Sequence, residues 1–454
     1  MITEIFRSWP RVRYDTNRLS ELETRGQECC KSFEDSNLKC NFHIAVAACY
    51  GNQGLIPMAM KHGQSALSLA QSTANNGRQS DVLIQFAYIK WAVGEYSAGQ
   101  VYAKEAHRLA GIVGDLYREA QGLRVEALNW LGLGNYTQCI LLVDRARSLL
   151  DICGLHHSLE ADELMTLLGE VQTRKSEYVE AHNTQNQVAQ AAAVNDPYQH
   201  GIALINMADI EVSLGAAKHE IQRKIEAAQT IFTVNGIARL SIACDVVQAD
   251  LNLREGDLST VLFGKCLRAS WGEYAEGVGY CLERLGDVSR WKNGHHESSW
   301  STVLFVHSLR QKEKLGIHKG LQFLGDVFLQ DKDGVTASSL FILALQGFTL
   351  MDVHRSRAEC MIRLGDISEK NGDLLHALEL WEMAQPLFER SSQTKQIWAI
   401  DERMSRVDKD VKEQCQKNLA HLLEPSVPAG KVDEEDEEDS EIELGLMKHM
   451  LNLL

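Results

Sequence analysis

Apolar residues recur at helical spacing over most of the chain, and one small member of that set returns about every 40 positions. The series is Ala47, Ala87, Ala127, Gly169, Ala208, Ala249, Gly286, Gly325 and Gly365, in steps of 37 to 42 residues. A steady period of this size predicts a stacked array, in which each unit buries its apolar face against its neighbours.

The stretch from Cys360 to Arg390 shows one unit most fully. Leu364-Gly365 sits in a first helix, Gly372-Asp373 turns the chain, and Ala377, Trp381 and Ala384 follow at spacings of four and three. Two helices that cross closely need residues without bulk at the crossing, which accounts for Gly365, Ala377 and Ala384. Gly372 gives the turn its backbone freedom, and Trp381 fills the space between one unit and the next. Upstream, the turn position holds Gly54, Gly94, Gly134, Gly215, Gly256 and Gly294, with Ser176 in the fourth unit and Gly334, slightly late, in the eighth. The second-helix alanine recurs as Ala66, Ala106, Ala146, Ala227, Ala344 and Ala384. Units six and seven place Arg268 and Phe305 there, and Ala269 suggests a one-residue shift.

Over residues 40–395 this pattern resembles the tetratricopeptide repeat (TPR). The resemblance implies an all-α fold, a right-handed superhelical solenoid of about nine antiparallel helix pairs with helical caps. It also implies a non-catalytic protein–protein interaction scaffold that takes a peptide or helix in its concave groove. The period exceeds the usual 34 residues by about 1.7 helical turns. Such longer units resemble those of kinesin light chains, which implies a motor-adaptor or cargo-binding role. The Leu-Gly-Asp form at 285–287, 324–326 and 364–366, with Gly114-Asp115 between units, resembles the TPR tails of fungal STAND proteins with NACHT or NB-ARC modules. That likeness implies a sensor module. No G-x-x-x-x-G-K-[ST] phosphate loop occurs in the chain, so either the NTPase is a separate subunit or this is a free-standing TPR protein.

Outside the array, residues 1–39 read as an N-terminal segment with a capping helix. Residues 396–423 read as a closing helix carrying Trp398, Ile400, Met404, Val407 and Val411. Pro425 and Pro428 end it, and residues 424–454 form an acidic tail whose composition predicts disorder. Within that tail Ile442, Leu446, Met450 and Leu453 share one helical stripe, a candidate docking element. Ser440, with acids at 441 and 443, fits an acidophilic kinase motif.

The net charge of −16 is concentrated in the tail, where residues 433–443 hold nine carboxylates. The first 424 residues carry 53 acidic against 44 basic side chains, which gives no support for phosphate-backbone binding. The 11 cysteines include no C-x-x-C and mostly lie in apolar stretches, so neither a zinc site nor a disulfide frame is expected. The N-terminus lacks the apolar run of a signal peptide, and no segment reads as membrane-spanning. These features place the protein in the cytoplasm, with the nucleus still open.

The candidate site is the residue after each small one: Glu170, Asp209, Asp250, Asp287, Asp326 and Asp366. If first helices line the concave face, six aligned carboxylates form a groove for a basic or amide-rich peptide. A structural reading stands beside it. Arg174, Arg254 and Lys370 follow Glu170, Asp250 and Asp366 by four residues and Arg290 follows Asp287 by three, spacings that suit ion pairs within one helix. Trp91, Trp130 and Trp291 suit packing between units. The pairs His156-His157 and His295-His296 lack the spacing of a helical metal site, so no metal and no cofactor are expected. Neither G-x-S-x-G, H-E-x-x-H nor a glycine-rich dinucleotide fingerprint is present, so no catalytic role is expected.

Overall fold

Left-handed backbone conformations punctuate the chain at nearly even intervals. They fall at Ala74, Gly94, Gly114, Gly134 and Gly154, in steps of 20, and recur at Lys312, Lys332, Asp352, Gly372 and Ser392 with the same step. The 40-residue period is therefore two nearly equal helix-and-turn halves of about 17 helical residues each. The computed structural model describes residues 16–423 except 33, 53–54, 195, 235–237, 257–260, 271–274 and 293–296. The candidate tail stripe, the acidic run, Ser440, Gly54, Gly294 and the pair His295-His296 lie outside the described residues, as do the side chains of Arg290 and Trp291.

All 21 described helices are α-helices, with no strand among the described residues. Helix α1 (Thr16–Ser32) precedes nine antiparallel pairs. These are α2 (Ser36–Asn52) with α3 (Ile56–Ser72), α4 (Asn76–Ala92) with α5 (Tyr96–Val113), and α6 (Leu116–Leu133) with α7 (Tyr136–Ile152). Next come α8 (Leu159–Arg174) with α9 (Tyr178–Ala192), α10 (Pro197–Leu214) with α11 (Lys218–Val234), and α12 (Ala238–Arg254) with α13 (Val261–Ser270). The last three are α14 (Ala275–Lys292) with α15 (Glu297–Gln311), α16 (Lys314–Gln330) with α17 (Gly334–Leu350), and α18 (His354–Lys370) with α19 (Leu374–Arg390). The closing segment is two helices rather than one, α20 (Thr394–Ser405) and α21 (Lys409–Leu423). The chain is thus a solenoid of helix pairs.

Local chemistry sets the helix starts. Asn135, Asp333 and Asp373 accept from the backbone N–H three residues on, which satisfies a donor that the first turn leaves unpaired. At the eighth turn Lys332, not Gly334, takes the left-handed conformation, and Gly334 is the first residue of α17. The small residues of the period are buried at the crossings. A Cβ on Gly365 would stand 2.5 Å from Trp381 Nε1 and 3.2 Å from the Ala377 carbonyl oxygen, so only glycine lets this pair close. On the second helices, Ala66, Ala106, Ala146, Ala344 and Ala384 are completely buried. In α11 that place belongs to Ala228 rather than Ala227, and in α13 to Cys266 rather than the exposed Arg268, whereas Phe305 is buried as an apolar substitute.

The ends are pinned by different means. Glu23 of α1 is buried, accepts from the Tyr50 hydroxyl and lies 3.0 Å from His62 Nε2. In α20, Ile400 is completely buried, but Trp398 is 69% exposed and faces solvent instead of the core. All 11 cysteines are free thiols, and no described helix is long and apolar enough to cross a membrane.

The solenoid coils until distant units touch. One apolar core holds Leu131 of α6 and Val171 of α8 together with Leu321 of α16 and Phe348 of α17. At the Gly134 turn, a Cβ would lie 3.0 Å from both Lys314 Cβ and Met351 Sδ. Gln393 Nε2 donates to the Ser213 carbonyl at 3.2 Å, across 180 residues of chain. The arms meet along a narrow seam, and a cavity lies inside the coil.

Candidate functional site

The cavity, of about 340 Å³, is lined by the first helices of six consecutive pairs, α8, α10, α12, α14, α16 and α18, together with one side of the second helix α15. Glu170, Asp209 and Asp287 of the carboxylate series stand in its lining, while Asp250, Asp326 and Asp366 do not. Asp250 and Asp326 are buried at 5% and 7% exposure.

For Asp250, Asp326 and Asp366 the bases come from the next unit rather than from the same helix. Arg284 Nε reaches Asp250 Oδ2 at 2.9 Å and Arg363 Nε reaches Asp326 Oδ1 at 3.0 Å. Arg403 holds Asp366 through both oxygens, at 2.8 and 3.0 Å. Arg254, expected to pair with Asp250, instead donates to the Ala216 carbonyl at 2.8 Å and to Glu255 at 3.2 Å. Within a helix, Arg284 also lies 3.4 Å from Asp287. The physical reason is reach: the arginine two residues before a unit's small residue points back along the stack. The recurrence of Arg284-Leu285-Gly286-Asp287 as Arg363-Leu364-Gly365-Asp366 was the available sequence signal.

At the cavity wall, the Tyr280 hydroxyl lies 2.6 Å from Asp209 Oδ1 and 2.7 Å from Asp250 Oδ2, and Arg284 Nη2 donates to it at 3.1 Å. A hydroxyl carries one hydrogen and can donate to only one of the two carboxyls. The other contact is a good hydrogen bond only when that carboxyl holds a proton itself. Burial accordingly raises Asp209 and pushes Asp250 up to about 6, against the opposing pull of Arg284. Replacing Tyr280 with Phe is expected to cost about 2 kcal/mol, because two buried carboxyls lose the group between them. Denaturant titration followed by circular dichroism reads that loss; an unchanged midpoint would remove Tyr280 from the cluster's energetics.

Two further groups define the cavity's chemistry. Glu313 caps α16 by accepting from the Gly316 N–H at 2.7 Å, and burial pushes its carboxyl up to about 7 despite nearby Arg174. Asn206 lines the cavity, and its Nδ2 is buried with no hydrogen-bond partner among the described residues. The lining holds six carboxyls (Glu170, Asp209, Glu283, Asp287, Glu313 and Glu359) against three arginines and a lysine (Arg174, Arg284, Arg355 and Lys319) and His307, interleaved with Ile205, Ile242, Val246, Val247 and Leu304. Tyr280, Glu313 and Asn206 carry no pattern that singles them out along the sequence. They become a site only through the curvature of the array.

Among the described residues, Glu177, Asp352 and His354 form the group with metal-ligand spacing. Lys175 Nζ already bridges its two carboxylates, at 2.9 and 3.1 Å, and supplies the positive charge there. The rings of His156 and His157 pack edge to face in an exposed turn. Trp130 carries Lys104 Nζ 5.5 Å above its ring.

No family model matches this sequence, and no curated protein matches it. Among solved structures, it is similar to a Rap protein complexed with competence and sporulation factor, at 10% identity over 86% of this chain and 96% of that one, with a TM-score of 0.46. It is also similar to the human IFIT1 dimer with m7Gppp-AAAA, at 13% identity over 93% and 100% of the two chains and a TM-score of 0.44. Yeast Tom70 superposes at 14% identity over 92% and 98%, with a TM-score of 0.35.

Proposed function

We propose that the chain is a non-catalytic scaffold that binds another protein by holding an extended peptide segment of it inside the coil. The observation that carries this reading is the cavity itself. Six first helices and α15 line it, the lining alternates apolar and charged side chains, and Asn206 presents an unused amide donor suited to a peptide carbonyl. The excess of carboxyls in the lining favours a peptide with a basic side chain beside an apolar one.

Fluorescence anisotropy against a positional library of labelled heptapeptides tests this. Basic residues are expected at one position, and Asp209→Asn is expected to weaken those peptides about tenfold, the loss of one charge-assisted contact. Val246→Trp should fill the cavity and abolish binding. Peptides that still bind the Val246→Trp variant would place the site elsewhere on the array.

A further inference from the structure

The two turns that meet across the coil serve both faces of the cavity wall. In the first, Arg174, Ser176 and Tyr178 line the cavity, while Lys175 and Glu177 between them reach the other arm. In the second, Val353, Arg355 and Ser356 line it, while Asp352 and His354 reach back. The His354 N–H donates to the Lys175 carbonyl at 3.1 Å. The His354 ring is completely buried between Glu177 Oε1 at 3.4 Å and Asp352 Oδ1 at 3.5 Å. Glu177 and His354 are 177 residues apart in the chain.

Repeats of a solenoid touch their neighbours, so the array bends by small changes at every interface. A contact between non-neighbours is the one that such bending breaks first. We infer that the Lys175–Glu177–Asp352–His354 contact is a latch, which shuts the coil around the cavity and must release for a peptide to enter or leave. This rests on the cavity being the peptide site. The bond type suits the role. The Asp352 side chain is 45% exposed, so water competes for its ion pairs, while Lys175, Glu177 and His354 are mostly buried and carry the rest of the contact. Arg390 on Glu177, at 3.9 Å, adds a long pair across the seam, while Arg357 on Asp352, at 3.2 Å, stays within one turn.

An engineered thiol reports the opening without any peptide. In an Ala243→Cys background, at a cavity-lining position of α12, the rate of labelling by a polymer-bearing maleimide is compared with that by N-ethylmaleimide, each read at residue 243 by peptide mass spectrometry. Lys175→Glu sets like charges together and is expected to raise the ratio about tenfold, as for a shift of a two-state equilibrium. Adding Asp352→Lys restores an opposite-charge pair across the seam and should bring the ratio part of the way back, because Glu177 and Arg357 stay beside the exchanged positions. A ratio unmoved by Lys175→Glu, or one that stays as high in the double variant as in the single one while helicity is unchanged, would overturn the latch. Because no peptide enters the measurement, a failed latch leaves the cavity reading intact. A working latch with no peptide binding would remove only the proposed occupant.

Discussion

Truncation of Trp381 to alanine is expected to cost about 4 kcal/mol, the usual loss when a buried tryptophan leaves a void. The indole is completely buried, packs on Gly365 and anchors the core that joins α18 to α21. In a repeat array the loss stays local, so the C-terminal units should open before the rest. Hydrogen exchange should show protection falling across residues 354–405 while the first three pairs keep theirs. Trp381→Phe should be far milder, at under about 1.5 kcal/mol, because it also removes an indole N–H that is buried without a partner. Uniform loss of protection along the whole chain would contradict the solenoid's independence of units.

Glu313→Gln is expected to stabilise the protein at alkaline pH. The native carboxyl is raised from an ordinary 4.5 to about 7. Below 4.5 both states are protonated and the raised value costs nothing. Between 4.5 and 7 the native state keeps a proton that the unfolded chain has released, so stability falls as pH rises. Above 7 the deficit is complete and amounts to about 3 kcal/mol. Glutamine keeps an acceptor for the Gly316 N–H but caps less well, so the net gain at pH 8 should be about 2 kcal/mol. Denaturant midpoints measured from pH 4 to 8 should converge at the acid end. A difference independent of pH would mean that the carboxyl is well solvated in the cavity.

What the sequence disclosed divides along a physical line. The period, the buried alanines and the Gly372 turn were legible because each depends on neighbours within one or two turns of helix. The partner of Asp250 was misread for the same reason. Arg254 at the i+4 position was the visible choice, whereas Arg284 lies 34 residues away and needs the register between units. The left-handed Lys332 shows another limit, since the turn is set by the 20-residue spacing of the helices even where glycine stands two residues late. The cavity was not legible at all. It arises from the summed rotation of successive units, and no local pattern encodes the point where Lys175 meets Asp352.

That meeting also limits how this chain can change in length. An open solenoid gains or loses whole units at little cost, because every internal interface is much like the next. Here the turn at Ser176 and the turn at Asp352 must arrive face to face, with four and a half helix pairs between them. Duplication or deletion of a single 40-residue unit in that interval would preserve each neighbour's packing and still carry the two turns past one another. Units before the Gly134 turn or after Gln393 lie beyond these cross-coil contacts and are free to vary in number.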